Sequence, residues 1–431
     1  MVASVKEWDL IVVGAGIVGC SAALYAARKG MSVLIVERDT PGSAQSGRNL
    51  GFVRQQGRDF RELPLAMAAN RLWEGVEADL GRSIGWFRGG NLVLAVSQED
   101  VVKQEAWRAQ AIQYGLDTVL LTPAQMTERL PLLAPDASVR GGMFTATDGR
   151  AEPGRATRAF FEAAVEAGAQ VMLGQPASRL DRSGGRITGV WTGVELHRGG
   201  IVLCAAGTGS GKLLRKVGYG LPQERIRATV ARTRRGSGLR LDPCVSLPLT
   251  GLRQDANGAF ILSVAGGEYD VRPDSWRYMR NYRSTRKQNP DAARLNYWAP
   301  LQGLLPNKSS TPLADMPPTS ERVPPEAWRV EQAVAELRKF LPVIAGLTVE
   351  TTWAGIIDTL PDVIPVLGSV DKLDGLLVAT GFSGHGFGLG PMAGKVIAEL
   401  AVGQPSPVDV SGLSPHRFQS TKSSQSRGSR D

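Results

Sequence analysis

Cysteine and histidine are both scarce, with three residues of each in a chain of 431. Cys20, Cys204 and Cys244 are far apart and odd in number, which indicates a reducing compartment and argues against a disulfide framework. Three histidines in total argue against a multi-histidine metal centre. We therefore expect Cys20 and Cys204, which lie among small residues, to be buried and inert, and we expect no metal site.

Long apolar runs are also missing. No run reaches the roughly 20 residues that span a bilayer, and no charged segment followed by an apolar one precedes the first predicted strand. These absences predict a cytoplasmic protein. Peripheral contact with the inner face of the membrane is the alternative, because the chain is basic.

Acidic residues are too few to balance the basic ones, which leaves a net charge of +9 and a pI near 9.6. The densest basic clusters, residues 225–240 and 277–287, lack the interleaved aromatic residues of a base-stacking surface. We therefore expect no nucleic-acid partner. A solvated surface, attraction of an anionic substrate and attraction of anionic lipid are the interpretations left open.

What the sequence does contain is a complete phosphate-binding unit in residues 10–48. An apolar strand, the turn Gly14-x-Gly16-x-x-Gly19, a helix of small residues and a second apolar strand follow one another and end at Glu37. The glycines allow a pyrophosphate to approach the backbone, and the helix N-terminus attracts it. Glu37 is placed to accept hydrogen bonds from ribose hydroxyls. This order of pieces favours dinucleotide binding over an ordinary βαβ unit.

Hydrophobic periodicity predicts the other elements. The predicted helices are 20–28, 63–80, 104–114, 123–130, 153–167, 326–340 and 391–400, and the predicted strands are 10–13, 33–36, 90–96, 170–173, 200–206 and 376–379. Hairpins are predicted around 183–185 and at Asn257-Gly258. The run 290–325 is proline-rich and cannot be regular throughout, and the tail 419–431 is expected to be disordered.

Three loops are candidates for contact with a cofactor. Residues 42–51 are small and polar, which suits backbone contact with a flat polar ring, although a flexible surface loop is the alternative. The strand 200–206 runs into a glycine-rich turn at Gly207. The glycine loop 381–390 precedes a helix predicted to begin at Pro391, whose N-terminus should point a positive dipole into that loop.

Three separated motifs resemble the D-amino-acid-oxidase superfamily of FAD enzymes. They are Gly381-Phe-Ser-Gly-His-Gly-Phe387, the segment 353–362 with its Trp-Ala-Gly start, and Gly47-Arg48-Asn49 followed by Arg54. Within the superfamily the chain is most similar to the β subunit of sarcosine oxidases, with glycine oxidase and L-amino acid deaminases as relatives. The resemblance covers residues 9–407 and is weakest at 225–349.

The resemblance implies a set of FAD-binding residues. The first turn and Glu37 would hold the pyrophosphate and ribose, the loop after Ala44 would line the flavin, Ala177 would present its backbone to the adenine, and the late glycine loop would face the flavin pyrimidine. The implied residues are Gly14, Gly16, Ile17, Val18, Gly19, Glu37, Arg38, Ser46, Gly47, Arg48, Asn49, Ala177, Ala206, Gly207, Gly384, His385, Gly386, Phe387, Gly388 and Leu389.

Two residues are candidates for catalysis. Arg54 matches the arginine that binds the substrate carboxylate in sarcosine oxidases, and a guanidinium suits that task because it offers a bidentate fork. A surface salt bridge is the alternative for Arg54. His385 is expected to shape the polar pocket near the flavin, with a purely structural role as the alternative.

The departures from the family pattern concern the attachment of the flavin and the identity of the electron acceptor. The cysteine that attaches flavin covalently in monomeric sarcosine oxidases corresponds to the neighbourhood of Gly355, so non-covalent FAD is expected. Gly388 replaces a lysine that follows the motif in those enzymes, and residues 259–267 contain no oxygen-activating lysine. The acceptor is therefore either O2 or a quinone or partner subunit.

The expected reaction is FAD-dependent oxidation of an amino acid or secondary amine to an imine, followed by hydrolysis to an oxo acid and ammonia or amine. The alternatives are a dehydrogenase subunit of a complex, acting on an opine, hydroxyproline or N-methyl amino acid, and a non-catalytic FAD- or RNA-binding protein. The expected fold combines a discontinuous Rossmann-like FAD-binding domain (residues 1–82, 141–224 and 350–418) with an antiparallel-sheet substrate domain (83–140 and 225–349).

Overall fold

A computed structural model describes residues 7–264, 266–288, 293–298 and 323–418. The predicted tail and most of the proline-rich run lie outside these residues. The strands of the described part are β1 Glu7–Val13, β2 Val33–Val36, β3 Phe52–Val53, β4 Asn91–Ala95, β5 Thr118–Leu121, β6 Gly141–Thr145, β7 Gly149–Arg150, β8 Gln170–Met172, β9 Ala177–Ser183, β10 Arg186–Thr192, β11 Glu195–Cys204, β12 Glu224–Thr233, β13 Cys244–Ser246, β14 Thr250–Gln254, β15 Phe260–Val264, β16 Gly267–Asp270, β17 Ala293–Asn296, β18 Val349–Thr359, β19 Val366–Ser369 and β20 Leu376–Thr380.

The same residues also form twelve α-helices. They are α1 Ile17–Arg28, α2 Gln45–Arg48, α3 Leu63–Leu80, α4 Gln98–Ala111, α5 Pro123–Arg129, α6 Pro153–Glu166, α7 Ser210–Arg215, α8 Pro273–Tyr278, α9 Arg283–Gln288, α10 Ala327–Phe340, α11 Pro342–Ala345 and α12 Gly386–Ala401.

Eight of the described strands form a first sheet whose main path is β19-β20-β11-β1-β2-β8. The pairings from β20 to β8 are parallel and β19 is antiparallel. The strands β9 and β10 extend it from β11 by antiparallel pairing. Because β2, β1, β11 and β20 run in one direction, their carboxyl ends lie at the same edge of the sheet.

Both faces of the first sheet are covered. Leu10 and Val12 of β1 point into a core formed with α1, α3, α6 and α12, while Ile11 and Val13 point into the core on the opposite face. This alternation follows from the period of two residues in a strand. The predicted doubly covered, Rossmann-like sheet is therefore confirmed.

Ten of the described strands form a second sheet, with the order β17-β16-β12-β15-β14-β13-β4-β6-β5 and β18 paired to β12. The sequence predicts an antiparallel sheet here, but β4 pairs with β13 and β16 with β17 in parallel. The sheet is mixed because these two pairs join segments that are separated by long connections rather than by hairpins.

Two strands lie across the predicted domain boundaries. β6 and β18 fall in the ranges assigned to the FAD-binding domain, yet both pair within the second sheet. The pairing of β18 with β12 runs from Glu224 opposite Thr359 to Thr233 opposite Val349. Local sequence could not reveal it because the paired residues are more than 100 positions apart.

Most predicted elements are confirmed with shifted ends, and three helices begin earlier and are longer than predicted, among them α1, which begins at Ile17 rather than at 20. α4 begins at Gln98 rather than at 104, because Ser97 and Asp100 form a capping box. α12 begins at Gly386 rather than at Pro391, which lies inside the helix. The proline removes one N–H from the helix interior, a loss that the packed helix tolerates here.

Candidate active site

The carboxyl ends of four neighbouring strands carry most of the predicted cofactor residues. Gly14 directly follows β1, Glu37 follows β2, Ala206 comes two residues after β11, and Gly381 directly follows β20. Ligands of open α/β sheets bind in the crevice outside these ends. The topology thus brings together segments from both ends and the middle of the chain.

The turn after β1 requires glycine. Gly14 has a φ of +108°, and a Cβ there would lie 2.5 Å from the carbonyl oxygen of Ala205. A Cβ on Gly19 would lie 1.9 Å from the carbonyl oxygen of Gly14. The first turn of α1, which includes Ile17 and Val18, presents backbone N–H groups that have no partner inside the helix. The turn therefore fits a pyrophosphate group.

Glu37 at the end of β2 is fixed by two backbone donors. Its Oε2 accepts a hydrogen bond from Ala15 N at 2.7 Å, and its Oε1 accepts one from Asp39 N at 2.8 Å. Each carboxylate oxygen keeps a lone pair, so the side chain can still accept from a ribose. Arg38 is exposed, and its Nε lies 3.3 Å from Oδ2 of Asp39. The guanidinium of Arg38 is therefore directed at a neighbouring carboxylate.

The polar loop after Ala44 forms the short helix α2, which packs against the start of α1. Ser46 Oγ accepts a hydrogen bond from Ile17 N at 3.0 Å. Asn49 Nδ2 donates to Ser46 O at 2.8 Å, and Arg48 Nε donates to Ser43 O at 2.8 Å. This loop is therefore ordered by its own hydrogen bonds rather than being a flexible surface loop.

Three further predicted cofactor residues, Gly47, Gly207 and Ala177, lie in segments next to the same crevice. Gly47 of α2 is buried beside this loop, and the carbonyl of Gly207 accepts from Gln223 Nε2 at 2.9 Å. Ala177 starts β9 two residues after Gln175, whose N–H bonds the carbonyl of Glu37 at 2.9 Å. The structure thus places Ala177 in the segment next to the end of β2.

Asp358 is a site residue that the sequence reasoning missed. It is 1% exposed on β18, and its Oδ2 accepts hydrogen bonds from Gly381 N at 2.8 Å and from Gln223 Nε2 at 3.0 Å. Burial raises the pKa of this carboxyl. It ties β18 of the second sheet to the end of β20. The one available signal was an acidic residue directly after the apolar run 353–357 of this strand.

The first turn of α12 contains most of the late glycine motif. Gly384 has a φ of +88°, and His385 precedes the helix. A Cβ on Gly388 would lie 3.4 Å from Val53 Cα, so β3 lies directly against this turn. Absence of a side chain there permits the approach.

The side chains of the late glycine motif that lie in α12 point into the core rather than into the crevice. Phe387 is buried against Trp73, with ring centroids 5.1 Å apart, and Trp73 Nε1 donates to the carbonyl of Gly388 at 2.8 Å. Leu389 is 1% exposed. These residues, together with Gly386, can therefore offer only backbone atoms to a ligand.

Arg54 follows β3 and therefore lies beside the N-terminus of α12. Its guanidinium makes no ion pair or hydrogen bond with any residue that the structure describes. Burial lowers the pKa of Arg54, whereas the charges of Asp148 and Glu62 act in the opposite direction. A surface salt bridge is excluded among the described residues, and the side chain is available for an anionic ligand.

Asp148 fixes the loop that carries Arg54 and was not among the candidate site residues predicted from the sequence. Its carboxylate is fully buried and accepts from Gln55 N at 2.8 Å, Gln56 N at 3.2 Å and Asn70 Nδ2 at 3.3 Å. Burial raises the pKa of Asp148 to about 6. A buried acid with three neutral partners thus holds the two residues that follow the arginine.

His385 contacts a buried acid that sequence reasoning also missed. Its Nδ1 lies 2.9 Å from Oε1 of Glu62, which is 0% exposed and precedes α3. Arg58 lies 3.6 Å from the same oxygen. Burial and the charge of Arg58 lower the pKa of His385 to about 4, although Glu62 acts in the opposite direction. The imidazole is therefore neutral at pH 7.

Comparison with known proteins agrees with this arrangement. Residues 9–400 match the family model described as FAD dependent oxidoreductase. N-methyl-L-tryptophan oxidase of Yersinia pestis (strain Pestoides F) is 25% identical over 96% of this chain and 100% of its own length. The structure of L-amino acid deaminase from Proteus vulgaris superposes with a TM-score of 0.85 at 21% identity, covering 96% of this chain and 97% of that one. The structure of L-proline dehydrogenase from P. horikoshii superposes with a TM-score of 0.78 at 24% identity. The match covers 96% of this chain and 98% of that one.

Proposed function

This chain belongs to the FAD dependent oxidoreductase family, and on that premise we propose that it oxidises the C–N bond of an amino acid or N-alkyl amino acid, with Arg54 as the residue that binds the substrate carboxylate. The names of two similar proteins support the substrate class, since they describe an N-methyl amino acid oxidase and an amino acid deaminase. The products are an imine and, after hydrolysis, an oxo acid and ammonia or an amine.

The observation that carries the proposal is the unpaired guanidinium of Arg54 beside the first turn of α12. A half-buried arginine without a carboxylate partner among the described residues retains its full capacity for a bidentate anion contact. Asp148 orders the backbone that follows it, so the guanidinium is held by a fixed loop. A substrate carboxylate bound here would be placed next to the glycine motif.

FAD, when bound, supplies the two-electron acceptor for this oxidation. The residues that would hold it are the turn at Gly14 and Gly19, Glu37, the loop at Ser46 and the turn at Gly207. We propose that it is bound without a covalent link to cysteine. All three cysteines are buried, and burial raises the pKa of Cys204 to about 11 and that of Cys244 to about 12.

The mixed second sheet is proposed as the substrate domain, because its strand β18 reaches the crevice through Asp358. The electron acceptor, whether O2, a quinone or a partner subunit, stays a prediction, as do cytoplasmic location and peripheral membrane contact. Among the described residues, no helix combines the length and apolar character required to cross a membrane.

The test is anaerobic titration of the purified flavoprotein with D-, L- and N-methyl amino acids, followed by admission of air. Bleaching of the visible flavin spectrum by one class identifies the substrate, and the speed of recolouring in air separates oxidase from dehydrogenase. A flavoprotein that no amine bleaches would contradict the proposed reaction.

The Arg54→Gln variant tests the carboxylate contact. Loss of a charge-assisted bidentate contact should lower kcat/KM for the best substrate by about 10- to 100-fold. The matched control is Arg88→Gln, which removes an exposed arginine paired with Glu74 and should change kcat/KM by less than twofold. Equal effects of the two substitutions would refute the assignment of Arg54.

A further inference from the structure

Glu62 is an acid in an unusual position for a purely structural residue. It is 0% exposed, and neither of its carboxylate oxygens accepts a well-aligned hydrogen bond among the described residues. Its nearest polar contacts are His385 Nδ1 at 2.9 Å and Arg58 at 3.6 Å. A buried carboxylate is unfavourable unless such partners stabilise it, so this arrangement depends on all three side chains.

His385 Nδ1 lies 2.9 Å from Glu62 Oε1 without forming an aligned hydrogen bond, and this separation favours one of the two tautomers of His385. A carboxylate only accepts hydrogen bonds, so the short approach to Nδ1 favours the tautomer with a proton on that nitrogen. The ring keeps 24% of its side-chain exposure. Nε2 is then the nitrogen with a free lone pair, and it is the one left to face a ligand.

Burial and the surrounding charges keep the ring in this state. Burial is the main cause of the lowered pKa of His385, and Arg58 and Arg54 act in the same direction from the side of the loop after β3. His385 and Arg58 together lower the pKa of Glu62 against the effect of burial, so the carboxylate is ionised at neutral pH. Glu62 therefore balances the charge of Arg58, and Arg54 remains the cation available to substrate.

We propose that Glu62 is a positioning residue that holds His385 as the neutral Nδ1–H tautomer, so that Nε2 accepts a hydrogen bond from the N–H of the substrate amine. This role rests on the proposed function, because it assigns the amine end of a substrate whose carboxylate binds Arg54. It gives the site two recognition points, a cation for the carboxylate and a lone pair for the amine. No proton transfer or covalent step is required of Glu62.

The direct test is ¹⁵N NMR of the flavoprotein labelled at histidine, without substrate, between pH 5 and pH 8. The chain has only three histidines, so His197 and His416 serve as internal references. We expect one neutral Nδ1–H signal for His385 in the wild type and a mixture of tautomers in Glu62→Gln. The double variant Arg58→Gln/Glu62→Gln, which leaves no unbalanced buried charge, should show the same mixture.

The matched control is Glu336→Gln, which alters a buried glutamate of α10 that accepts from Leu249 N at 2.9 Å. It should leave the His385 signal unchanged. An Nε2–H or protonated His385 in the wild type, or the wild-type tautomer in both Glu62 variants, would overturn the proposal. The NMR readout does not depend on turnover, so it decides the positioning role even if no amine reduces the flavin.

A second measurement addresses the substrate amine. The probes are the amino acid that bleaches the flavin fastest and the carboxylic acid that has hydrogen in place of its amino group. Glu62→Gln should weaken binding of the amino acid by about five- to tenfold, the effect of one hydrogen bond, and that of the amine-free acid by less than twofold. Equally weakened binding of both probes would place the defect at Arg54 and refute the amine contact. A wild-type flavoprotein that no amine bleaches would instead refute the proposed function itself.

Discussion

Replacing Asp148 by Asn should remove a specific pH dependence of stability. Burial raises the pKa of this carboxyl from 3.8 to about 6. Folding therefore favours its protonated form, and the associated stability is complete below pH 3.8 and is lost as the pH rises through 6. The full gap between the two values corresponds to about 3 kcal/mol of unfolding free energy, of which about 2 kcal/mol falls between pH 4 and pH 7.

The measurement is urea unfolding of the wild type and Asp148→Asn at pH 4, 5, 6 and 7, followed by tryptophan fluorescence. The unfolding free energy of the wild type minus that of the variant should increase by about 2 kcal/mol as the pH is lowered from 7 to 4. Asp181→Asn is the control with the opposite sign, because hydrogen bonds from Trp191 and Thr188 lower the pKa of Asp181. A difference for Asp148→Asn that is flat with pH, or that moves in the control's direction, would refute the reasoning.

Two glycine substitutions test the packing of the cofactor crevice. Gly19→Ala places a Cβ 1.9 Å from the carbonyl oxygen of Gly14, so we expect purified protein without flavin absorbance, and normal FAD content would contradict the turn geometry. Gly394→Ala places a Cβ 2.5 Å from Ala22 N and should destabilise the α1–α12 contact by about 1–3 kcal/mol in thermal unfolding. Gly75→Ala, in α3 with no atom within 4 Å of the new Cβ, should instead be neutral or stabilising.

The catalytic pair predicted from sequence illustrates what a motif can and cannot reveal. Arg54 and His385 were identified because their residue types and neighbouring motifs match a known family. Asp148, which orders the loop after Arg54, and Glu62, which contacts His385, lie in segments with no motif. Nothing in the local pattern around Asp148 distinguishes a surface turn from a buried carboxylate with four donors.

The sequence by itself determined the features that depend on local chemistry. A turn that tolerates only glycine, a strand with a period of two residues and a helix such as Leu63–Leu80 are specified by residues that are neighbours in the chain. The family assignment follows from the same motifs. These features predicted the FAD-binding crevice and the first sheet.

Only the tertiary structure decided which distant residues meet. The parallel pairings of the second sheet, the placement of β18 beside β12, and the contact of Glu62 with His385 all join residues that are far apart in sequence. Such contacts arise from the packing of whole elements, and local propensity carries no information about them. Burial raises the pKa of Asp148 and lowers that of His385, because desolvation depends on everything that surrounds a side chain.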